Sequence, residues 1–331
     1  MSEGEMCDLS IIIVNWNTRG LLRKCLRSIY NNTKKLTFEV FVIDNASRDG
    51  SVEMVKKEFP QARLARNKEN LGFARGNNQG FLQTKGKYVL VLNPDTEVID
   101  DVFLKMVEYL ESNKEVGAVG PRFIYPDGTF QRYHYRFPTF ISILTTWFLP
   151  RSVAYKLRPT RAYLMLDDDF SKVIEVPQPA GSCLMVRRGL FSEEDFMDEQ
   201  FPIFFNDVDL CRRIYKKGLK IFVLPEAEIV HYKGKGGLEQ GKKSLFLSAE
   251  YFLSMIDYFS KYEGAVKADL LRIFISLGFL IRAIAFFIGY ICRLERKEEF
   301  RYEAARFHIF LWRKYVFSRK SSEKDRKIKV L

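Results

Sequence analysis

Short apolar runs that end in clusters of Asn and Asp recur through the first hundred residues of the chain. Residues 9–14, 40–43 and 88–92 have the length and the β-branched or apolar composition of buried strands, and polar residues follow each of them. Helical periodicity appears between them at 21–30 and after them at 101–112. This alternation predicts an α/β fold with a mostly parallel central sheet, whose ligand-binding edge carries the polar clusters.

The middle of the chain is less regular. Prolines interrupt aromatic-rich stretches throughout 125–172, and we interpret this segment as an irregular insertion over the polar edge. Strand-like patterning resumes at 180–186 and again at 221–224 and 227–230. These later strands are predicted to extend the same sheet.

A glycine-rich stretch at 234–237 predicts the edge of the first domain. We therefore divide the chain into an α/β domain, 1–240, and a helical C-terminal region, 241–331. In that region the apolar periodicity predicts helices at 244–262, 266–293 and 298–317.

The hydrophobic segment 273–292 overlaps the second of these helices. It holds twelve Ile, Leu or Phe residues and one charge, Arg282, near its middle. As a membrane span it would gain little, because each apolar residue is worth about −0.3 to −0.6 kcal/mol and a central Arg costs about 2.5 to 3.5 kcal/mol. The pattern favours helices that lie in one leaflet of a membrane, with a buried helix pair as the alternative.

The formal charge of +12 indicates a polyanionic partner, which could be nucleic acid, anionic lipid or a diphosphate ligand. Thirteen Lys or Arg and six acids lie between residue 293 and the C-terminus, so more than half of the excess charge is in the tail. This location favours a membrane surface over nucleic acid. The five cysteines are scattered and the N-terminus is acidic, so we expect a reduced cytosolic protein without a signal peptide.

Six motifs follow one another in the first 235 residues. They read SIIIVNWNTRGLLRKCLRSI, FVIDNASRDGS, NLGFARGNNQGF, VLVLNPDTEV, PAGSCLMVRRGLF and FFNDVDLCRRIYKKGLKIFVLPEAEIVHY. The ordered set resembles the family 2 glycosyltransferases of GT-A fold, especially the branch that includes rhamnosyltransferases of bacterial surface-polysaccharide assembly. The resemblance covers roughly residues 9–235.

The resemblance implies an inverting enzyme that depends on Mg²⁺ or Mn²⁺. It would move a sugar from a dTDP- or UDP-linked donor, dTDP-rhamnose among them, to a hydroxyl of a glycan or lipid-linked acceptor. Together with the basic tail it predicts a protein at the cytoplasmic face of the inner membrane, peripheral or monotopic, without a nucleic-acid partner. A membrane-attached sugar-nucleotide binding protein without turnover is the alternative, because Asn93 and Asn206 replace carboxylates common in the family.

By this resemblance the donor nucleotide is assigned to the polar residues after the first two strands. Asp44 stands where the family binds the nucleotide base, and its carboxylate can accept the imide N–H of uracil or thymine. Asn15, Asn17 and Asn45 lie in the same two loops and are predicted donor contacts. A role of Asp44 in stabilising a turn or capping a helix is the alternative.

The segment NLGFARGNNQG supplies a second group of predicted donor contacts. These contacts are Asn70, Gly72, Arg75 and Asn77. Gly72 is predicted to lie with Gly76 and Gly80 in a short loop that lets the backbone approach a phosphate or ribose. Asn77 occupies a position where many relatives carry Arg, so Arg75 is the candidate for that charge, with a solvated Arg75 as the alternative.

Asn93-Pro94-Asp95 stands where the family places its metal-binding DxD motif. Asp95 corresponds to the direct ligand of Mg²⁺ or Mn²⁺, and Asn93 can bind ribose or a ligand water but adds no charge. His231 resembles a family histidine near the diphosphate and is the second predicted ligand. A strand-ending turn and a packed histidine are the alternatives. Lys233 and Lys235 would close over the anion from a glycine-rich loop.

Asp207 matches the family residue that deprotonates the acceptor hydroxyl, and it is the predicted catalytic base. A helix-capping role is its alternative. Asp209 is predicted to anchor the helix that follows. By resemblance, Gly181 and Ser182 line the acceptor side of the site, as does the insertion at 125–172.

Overall fold

The computed structural model describes residues 7–232 and 242–291, with Arg306 and Ile309. One mixed β-sheet runs through the first of these ranges. Its strands are Leu9–Asn15 (β1), Phe38–Asp44 (β2), Arg63–Arg66 (β3), Tyr88–Leu92 (β4), Thr96–Val98 (β5), Val116–Ile124 (β6), Ile174–Glu175 (β7), Cys183–Arg187 (β8) and Lys220–His231 (β9). The strands predicted around residues 9–14, 40–43, 88–92, 180–186 and 221–230 are therefore confirmed.

Helices cover both faces of the sheet and continue after it. They are Arg19–Asn32 (α1), Ser51–Glu58 (α2), Phe73–Phe81 (α3), Val102–Ser112 (α4), Phe140–Phe148 (α5), Arg151–Ala154 (α6), Arg158–Tyr163 (α7), Asn206–Lys216 (α8), Lys242–Tyr262 (α9) and Ala265–Ile291 (α10). The predicted helices at 21–30, 101–112, 244–262 and 266–293 correspond to α1, α4, α9 and α10. The helix predicted at 298–317 lies outside the described residues, as do Lys233 and Lys235.

The strand order is β3-β2-β1-β4-β8-β6-β9-β5, with β7 beside β9. The first four strands are parallel, and β6 is parallel to β9. Among the strands of the described residues, β8 and the two shortest strands, β5 and β7, form antiparallel ladders. The prediction of a mostly parallel sheet is confirmed. Because β1 and β2 are in register, Asn15 lies directly opposite Asp44 at the carboxyl edge.

Alternate residues of β1 pack on opposite faces of the sheet. Ile11 and Ile13 belong to the core that α1, α2 and α4 cover, whereas Ile12 and Val14 face α3 and α8. A Cβ on Gly80 would lie 2.5 Å from Ile12, and one on Gly76 would lie 2.9 Å from Val14. The prediction that these two glycines lie in a ligand-binding loop was wrong, because they let α3 pack directly against the sheet.

The insertion at 125–172 is more ordered than its prolines suggested, since it contains α5, α6 and α7. Pro150 is the N-cap residue of α6, and Pro159 lies in the first turn of α7. Proline is tolerated at the first turn of a helix because those N–H groups have no partner within the helix. The expectation of an irregular segment was wrong for these stretches, where proline starts helices instead of interrupting them.

The helices α9 and α10 share a third apolar core with the segment that leads into α8. Phe205, immediately before α8, and Val208, in its first turn, pack in the same cluster as Tyr258 and Phe259 of α9 and Leu271 of α10. The C-terminal helices therefore support the part of the chain that carries Asp207. Among the described helices, none combines the length and the apolar character that a membrane crossing requires.

Candidate functional site

The carboxyl ends of β1 and β2 form a closed network of polar side chains. The amide of Asn15 donates to Asp44 Oδ2 at 2.8 Å and to Ser47 Oγ at 3.1 Å. The other Asp44 oxygen accepts the backbone N–H of Ser47 at 2.9 Å. Thr18 Oγ1 donates to Asn15 Oδ1 at 2.5 Å. All four side chains are buried, so their hydrogen bonds hold two adjacent strand ends in one geometry.

The loops after these strands are joined by further contacts. Asn17 accepts the N–H of Arg48 at 2.8 Å through its side-chain oxygen. Asn45 donates to the carbonyl oxygen of Gly72 at 3.0 Å, which ties the β2 loop to the start of α3. Gly72 has a φ of 88°, a conformation that favours glycine. The structure thus brings the predicted donor residues Asn15, Asn17, Asp44, Asn45 and Gly72 together at one edge.

The remaining predicted donor contacts have different surroundings. Asn70 accepts the Gly72 N–H at 3.0 Å and shapes the turn before α3. Arg75 is more than half exposed, with its side chain 3.8 Å from Glu199. Asn77 is fully buried within α3, where it donates to the Phe73 carbonyl at 2.9 Å. Arg75 is therefore accessible to a ligand, whereas Asn77 is held inside the fold.

A carboxylate and an imidazole meet at the edge formed by β5 and β9. Asp95 Oδ1 lies 3.6 Å from His231 Nε2, and both side chains are largely buried. The other ring nitrogen, Nδ1, is 2.6 Å from Gln131 Oε1. Because an amide oxygen only accepts, Nδ1 donates this hydrogen bond, and Nε2 is the ring nitrogen on the side of Asp95.

This pair fits a divalent cation. The 3.6 Å gap is too long for a hydrogen bond, yet both atoms can reach one ion at about 2.0–2.2 Å. Gln131 supplies the outer hydrogen bond that metal-binding histidines commonly make. No group of three or more His, Cys, Asp or Glu within 7–232 and 242–291 is placed to hold a metal ion. A bound diphosphate and water could supply further ligands, as is usual for Mg²⁺.

Gly181 and Ser182 connect this region to Asp207. The N–H of Gly181 donates to Asp207 Oδ2 at 3.0 Å. Ser182 accepts the backbone N–H of Asn93 at 2.8 Å and its side-chain amide at 3.3 Å. Since consecutive Cα atoms are about 3.8 Å apart, two adjacent residues link the Asn93 turn to the carboxylate of α8.

Asp207 lies in the first turn of α8, directly after a turn at Phe205, whose φ is 65°. Burial raises the pKa of the Asp207 carboxyl above its usual value, and hydrogen bonds from the N–H groups of Gly181 and Val208 oppose that rise. The carboxylate is therefore more basic than an exposed Asp while its geometry is held by the backbone.

The neighbours of Asp207 in sequence are structural. The Asn206 amide donates to the carbonyls of Phe201 and Ile203 at 3.3 and 2.8 Å. Asp209 is fully buried and accepts hydrogen bonds from Arg213, Lys261 and Tyr262. The anchoring role predicted for Asp209 is confirmed, and its partners fasten α9 to α8.

Three tyrosines near Asp207 could not be identified from motifs. The rings of Tyr135 and Tyr163 stack with centroids 5.7 Å apart, and Tyr163 shares a hydrogen bond with Tyr251 of α9. Burial raises the pKa of all three, and the charge of Asp207 adds to the effect. They stay protonated near neutral pH and present a neutral wall of rings and hydroxyl groups. Only the aromatic richness of the insertion hinted at the first two.

Comparison with known families gives a match over residues 10–193 to the model described as glycosyl transferase family 2. This range covers more than half of the chain.

Among curated proteins, the chain is 26% identical over 247 residues to the N-acetylglucosaminyl-diphospho-decaprenol L-rhamnosyltransferase of Mycobacterium tuberculosis, covering 68% of this chain and 76% of that protein. It is 24% identical over 257 residues to the O-antigen biosynthesis protein RfbC of Myxococcus xanthus, covering 76% and 19%. With an uncharacterised Sinorhizobium fredii protein it shares 25% identity over 243 residues, covering 68% and 24%. The chain thus spans only about a quarter or less of the latter two.

Two solved structures share the fold. A crystal structure of GalNAc-T7 with UDP, GalNAc and Mn²⁺ superposes with a TM-score of 0.53 at 18% identity, covering 74% of this chain and 48% of that one. The mannosyltransferase PcManGT of Pyrobaculum calidifontis, in complex with GDP-Man and Mn²⁺, gives a TM-score of 0.50 at 15% identity, covering 95% and 88%. These similarities show a GT-A-like fold.

Proposed function

The chain belongs to glycosyl transferase family 2, and we propose that it is an inverting transferase acting on a nucleotide-diphospho-sugar. The observation that carries the proposal is the short link through Gly181 and Ser182, which joins the turn of Asn93 and Asp95 to the carboxylate of Asp207. A group that can help a diphosphate to leave and a group that can take a proton are thereby connected through two adjacent residues.

In the proposed reaction the acceptor hydroxyl oxygen attacks C1 of the donor sugar while its proton passes to Asp207. The bond between C1 and the diphosphate oxygen breaks, and its electron pair leaves with the nucleoside diphosphate. Since the base and the leaving group lie on opposite sides of the sugar, the configuration at C1 inverts. Burial supports this role because it raises the pKa of Asp207 toward the range useful for a base.

Asp95 and His231 are the residues that would hold Mg²⁺ or Mn²⁺ against the donor diphosphate. The ion would neutralise the charge that develops on the leaving group. Mn²⁺ in the GalNAc-T7 and PcManGT complexes supports a divalent cation. Asn93 adds no charge to the pair, so Asp95 would provide most of the electrostatic attraction.

The donor and the acceptor are proposed from similarity and from Asp44. Its carboxylate is buried at the β2 end and can accept a pyrimidine imide N–H, which supports a dTDP- or UDP-sugar. The mycobacterial relative is named for rhamnosyl transfer to a diphospho-decaprenol-linked sugar, which supports dTDP-rhamnose and a lipid-linked acceptor. A polysaccharide hydroxyl is the other acceptor consistent with the RfbC similarity.

We place the protein at the cytoplasmic face of the inner membrane, as a peripheral or monotopic protein. One side of α10 packs in the third core, while its other side exposes a stripe of large apolar residues at helical spacing. This stripe consists of Leu270, Ile273, Phe274, Leu277, Ile281, Ile284 and Ile288. An apolar stripe followed in sequence by a basic tail supports attachment to an anionic leaflet.

Two measurements test this function. In a thermal-shift panel of UDP-, dTDP- and GDP-sugars with Mn²⁺, the true donor at about 100 times its Kd should add about 2.7 kcal/mol of stability. Nucleoside diphosphate should then be released from that donor only when acceptor is added. Donor binding without acceptor-dependent release would favour the alternative, a sugar-nucleotide binding protein without turnover.

A further inference from the structure

A basic cavity of about 450 Å³ lies in the insertion, beside the acceptor side of the site. Its charged lining consists of Arg136, Lys156, Arg158, Arg161, Asp167 and Asp168. The lining therefore combines four cations with two carboxylates. A concave basic surface of this size suits an anionic group.

Ion pairs neutralise only half of these cations. Arg136 pairs with Asp168 at 2.7 Å, and Arg161 pairs with Asp167. Lys156 and Arg158 are exposed, and no carboxylate in the described part of the chain forms an ion pair with either. The cavity thus keeps a formal charge of +2, which complements the negative charge of a phosphate or diphosphate ester.

The cavity adjoins the wall beside Asp207 through two chain segments. Arg136 directly follows Tyr135, and Ala162, another lining residue, directly precedes Tyr163. The backbone N–H of Arg136 donates to the backbone carbonyl of Tyr163 at 2.9 Å, and this bond joins the two segments. A ligand whose anionic group occupies the cavity could therefore extend past this wall toward Asp207.

Exposed apolar side chains lie in the same stretch of chain as the two unpaired cations, between the end of α5 and the start of α7. Leu149 and Val153 are 39% and 46% exposed, and Tyr155, immediately before Lys156, is 40% exposed. They continue the surface of α5, which packs against α10 through Phe140 and Phe274. An anionic cavity ligand would thus have an apolar surface beside it, continuous with the exposed stripe of α10.

We propose that this cavity binds the phosphate or diphosphate group of a membrane lipid, with the lipid chain along the exposed face of α5 and α6. The proposal rests on the transferase function and names its acceptor class: a sugar linked through phosphate to an apolar chain. The same anionic chemistry occurs in bilayer phospholipid headgroups, so the experiment must separate the two sources.

The test compares the full chain with Lys156→Gln/Arg158→Gln, which removes the two unpaired charges without breaking an ion pair. The control is Lys56→Gln/Lys57→Gln, which removes two exposed charges at the far end of α2. Binding is measured for farnesyl diphosphate in solution and for vesicles with and without phosphatidylglycerol. Because both measurements detect binding, they do not require turnover. They therefore remain informative even if the proposed transferase function is wrong.

We expect the cavity variant to bind farnesyl diphosphate about tenfold or more weakly, while the control binds like the wild type. A loss confined to farnesyl diphosphate assigns the cavity to the acceptor. A loss confined to phosphatidylglycerol vesicles assigns it to bilayer headgroups, and a loss of both supports the shared chemistry. Unchanged binding of both probes, or an equal loss in the control, overturns the proposal.

If transfer is established, the kinetics provide a second readout. The cavity variant should raise KM for a lipid-linked acceptor about tenfold and leave KM for the nucleotide sugar unchanged, because the substitution acts on only one substrate. Equal changes in both KM values would contradict a site for the acceptor.

Discussion

Asp44 and Asp207 are the carboxylates that the proposed function assigns to the donor end and the acceptor end of the site, but their surroundings differ. Asp44 accepts the Asn15 amide and the Ser47 N–H inside a closed polar network. Within the described residues, Asp207 accepts hydrogen bonds from backbone N–H groups alone and has Tyr135, Tyr163 and Tyr251 nearby, and burial raises its pKa. Asp44 thus has two hydrogen bonds before any ligand binds and keeps lone pairs for a further donor, whereas Asp207 lies in an environment that disfavours its charge.

This difference indicates a division of roles. The hydrogen-bonded network rigidifies the strand ends, and under the proposed function it would present a preorganised surface to the nucleotide. Proton uptake is more favourable for a partly desolvated carboxylate than for an exposed one, and a catalytic base requires this property. Substitutions at the donor end should therefore affect stability and binding, and those at the acceptor end should affect rate.

The largest expected effect is on transfer by Asp207→Asn. The amide keeps the size of the side chain but cannot take the acceptor proton, so kcat should fall by about 10²–10⁴-fold while donor affinity is unchanged. Product assays and calorimetry with the donor on the same sample measure the two quantities. Near-normal turnover would exclude Asp207 as the base.

The wild-type rate should also depend on pH through this residue. Because the folded-state pKa of Asp207 is raised, the active carboxylate is lost as pH falls through that raised value. The acidic limb of the kcat profile should therefore lie above the range of an ordinary Asp and disappear from the residual activity of Asp207→Asn.

Asp95→Ala should remove metal-dependent donor binding. Replacing an outer hydrogen-bonding partner of a ligand typically costs about 10–100-fold in metal affinity, and removal of the ligand itself should cost more. Titration of Mn²⁺ in the presence of nucleoside diphosphate measures this loss. Gln131→Leu is the milder comparison, because it removes the hydrogen bond to His231 Nδ1 and keeps both predicted metal ligands. If Mn²⁺ dependence persists in Asp95→Ala, the metal site lies elsewhere.

Gly181→Ala tests how tightly the acceptor end is positioned. An added Cβ would lie 2.7 Å from the Asp207 Cβ, so the carboxylate would have to shift. A displacement of about 1 Å in a catalytic group can cost about 100-fold in rate. Gly189→Ala is the matched control, since nothing lies within 4 Å of its added Cβ. Equal activity of the two variants would show that the contact does not position the base.

The smallest effect, and the most direct test of the contrast, is on stability. Asp44→Ala leaves the buried Ser47 N–H and one Asn15 bond without an acceptor, and each such loss costs about 1–3 kcal/mol. For Asp207 the raised pKa means that its stabilising contribution is present at low pH and lost as pH rises through the folded-state pKa. Asp207→Asn should therefore be neutral or stabilising at pH 7.

Urea unfolding at pH 7 measures both variants. The contrast between the donor end and the acceptor end fails if Asp207→Asn is destabilised as much as Asp44→Ala.

Several features were determined by the sequence itself. The apolar runs before Asn15, Asp44 and Asn93 predicted strands, and parallel strands place their carboxyl ends at one edge, so these groups had to lie close together. The ordered motifs identified the family, which the match over residues 10–193 confirms. These inferences hold because the hydrophobic period, the alternation of strands with helices and the order of the motifs can all be read along the sequence.

Other features were decided only by tertiary packing. Gln131 orients His231, and Tyr251 of α9 reaches Tyr163, across separations that no local pattern encodes. The effect of Pro150 and Pro159 was predicted wrongly because proline interrupts a helix in its interior but is tolerated at its start. At the start of a helix the N–H groups have no partner within the helix, so a missing N–H costs little. The raised pKa of Asp207 likewise depends on which distant segments exclude water from it, and burial of that kind exists only in the folded chain.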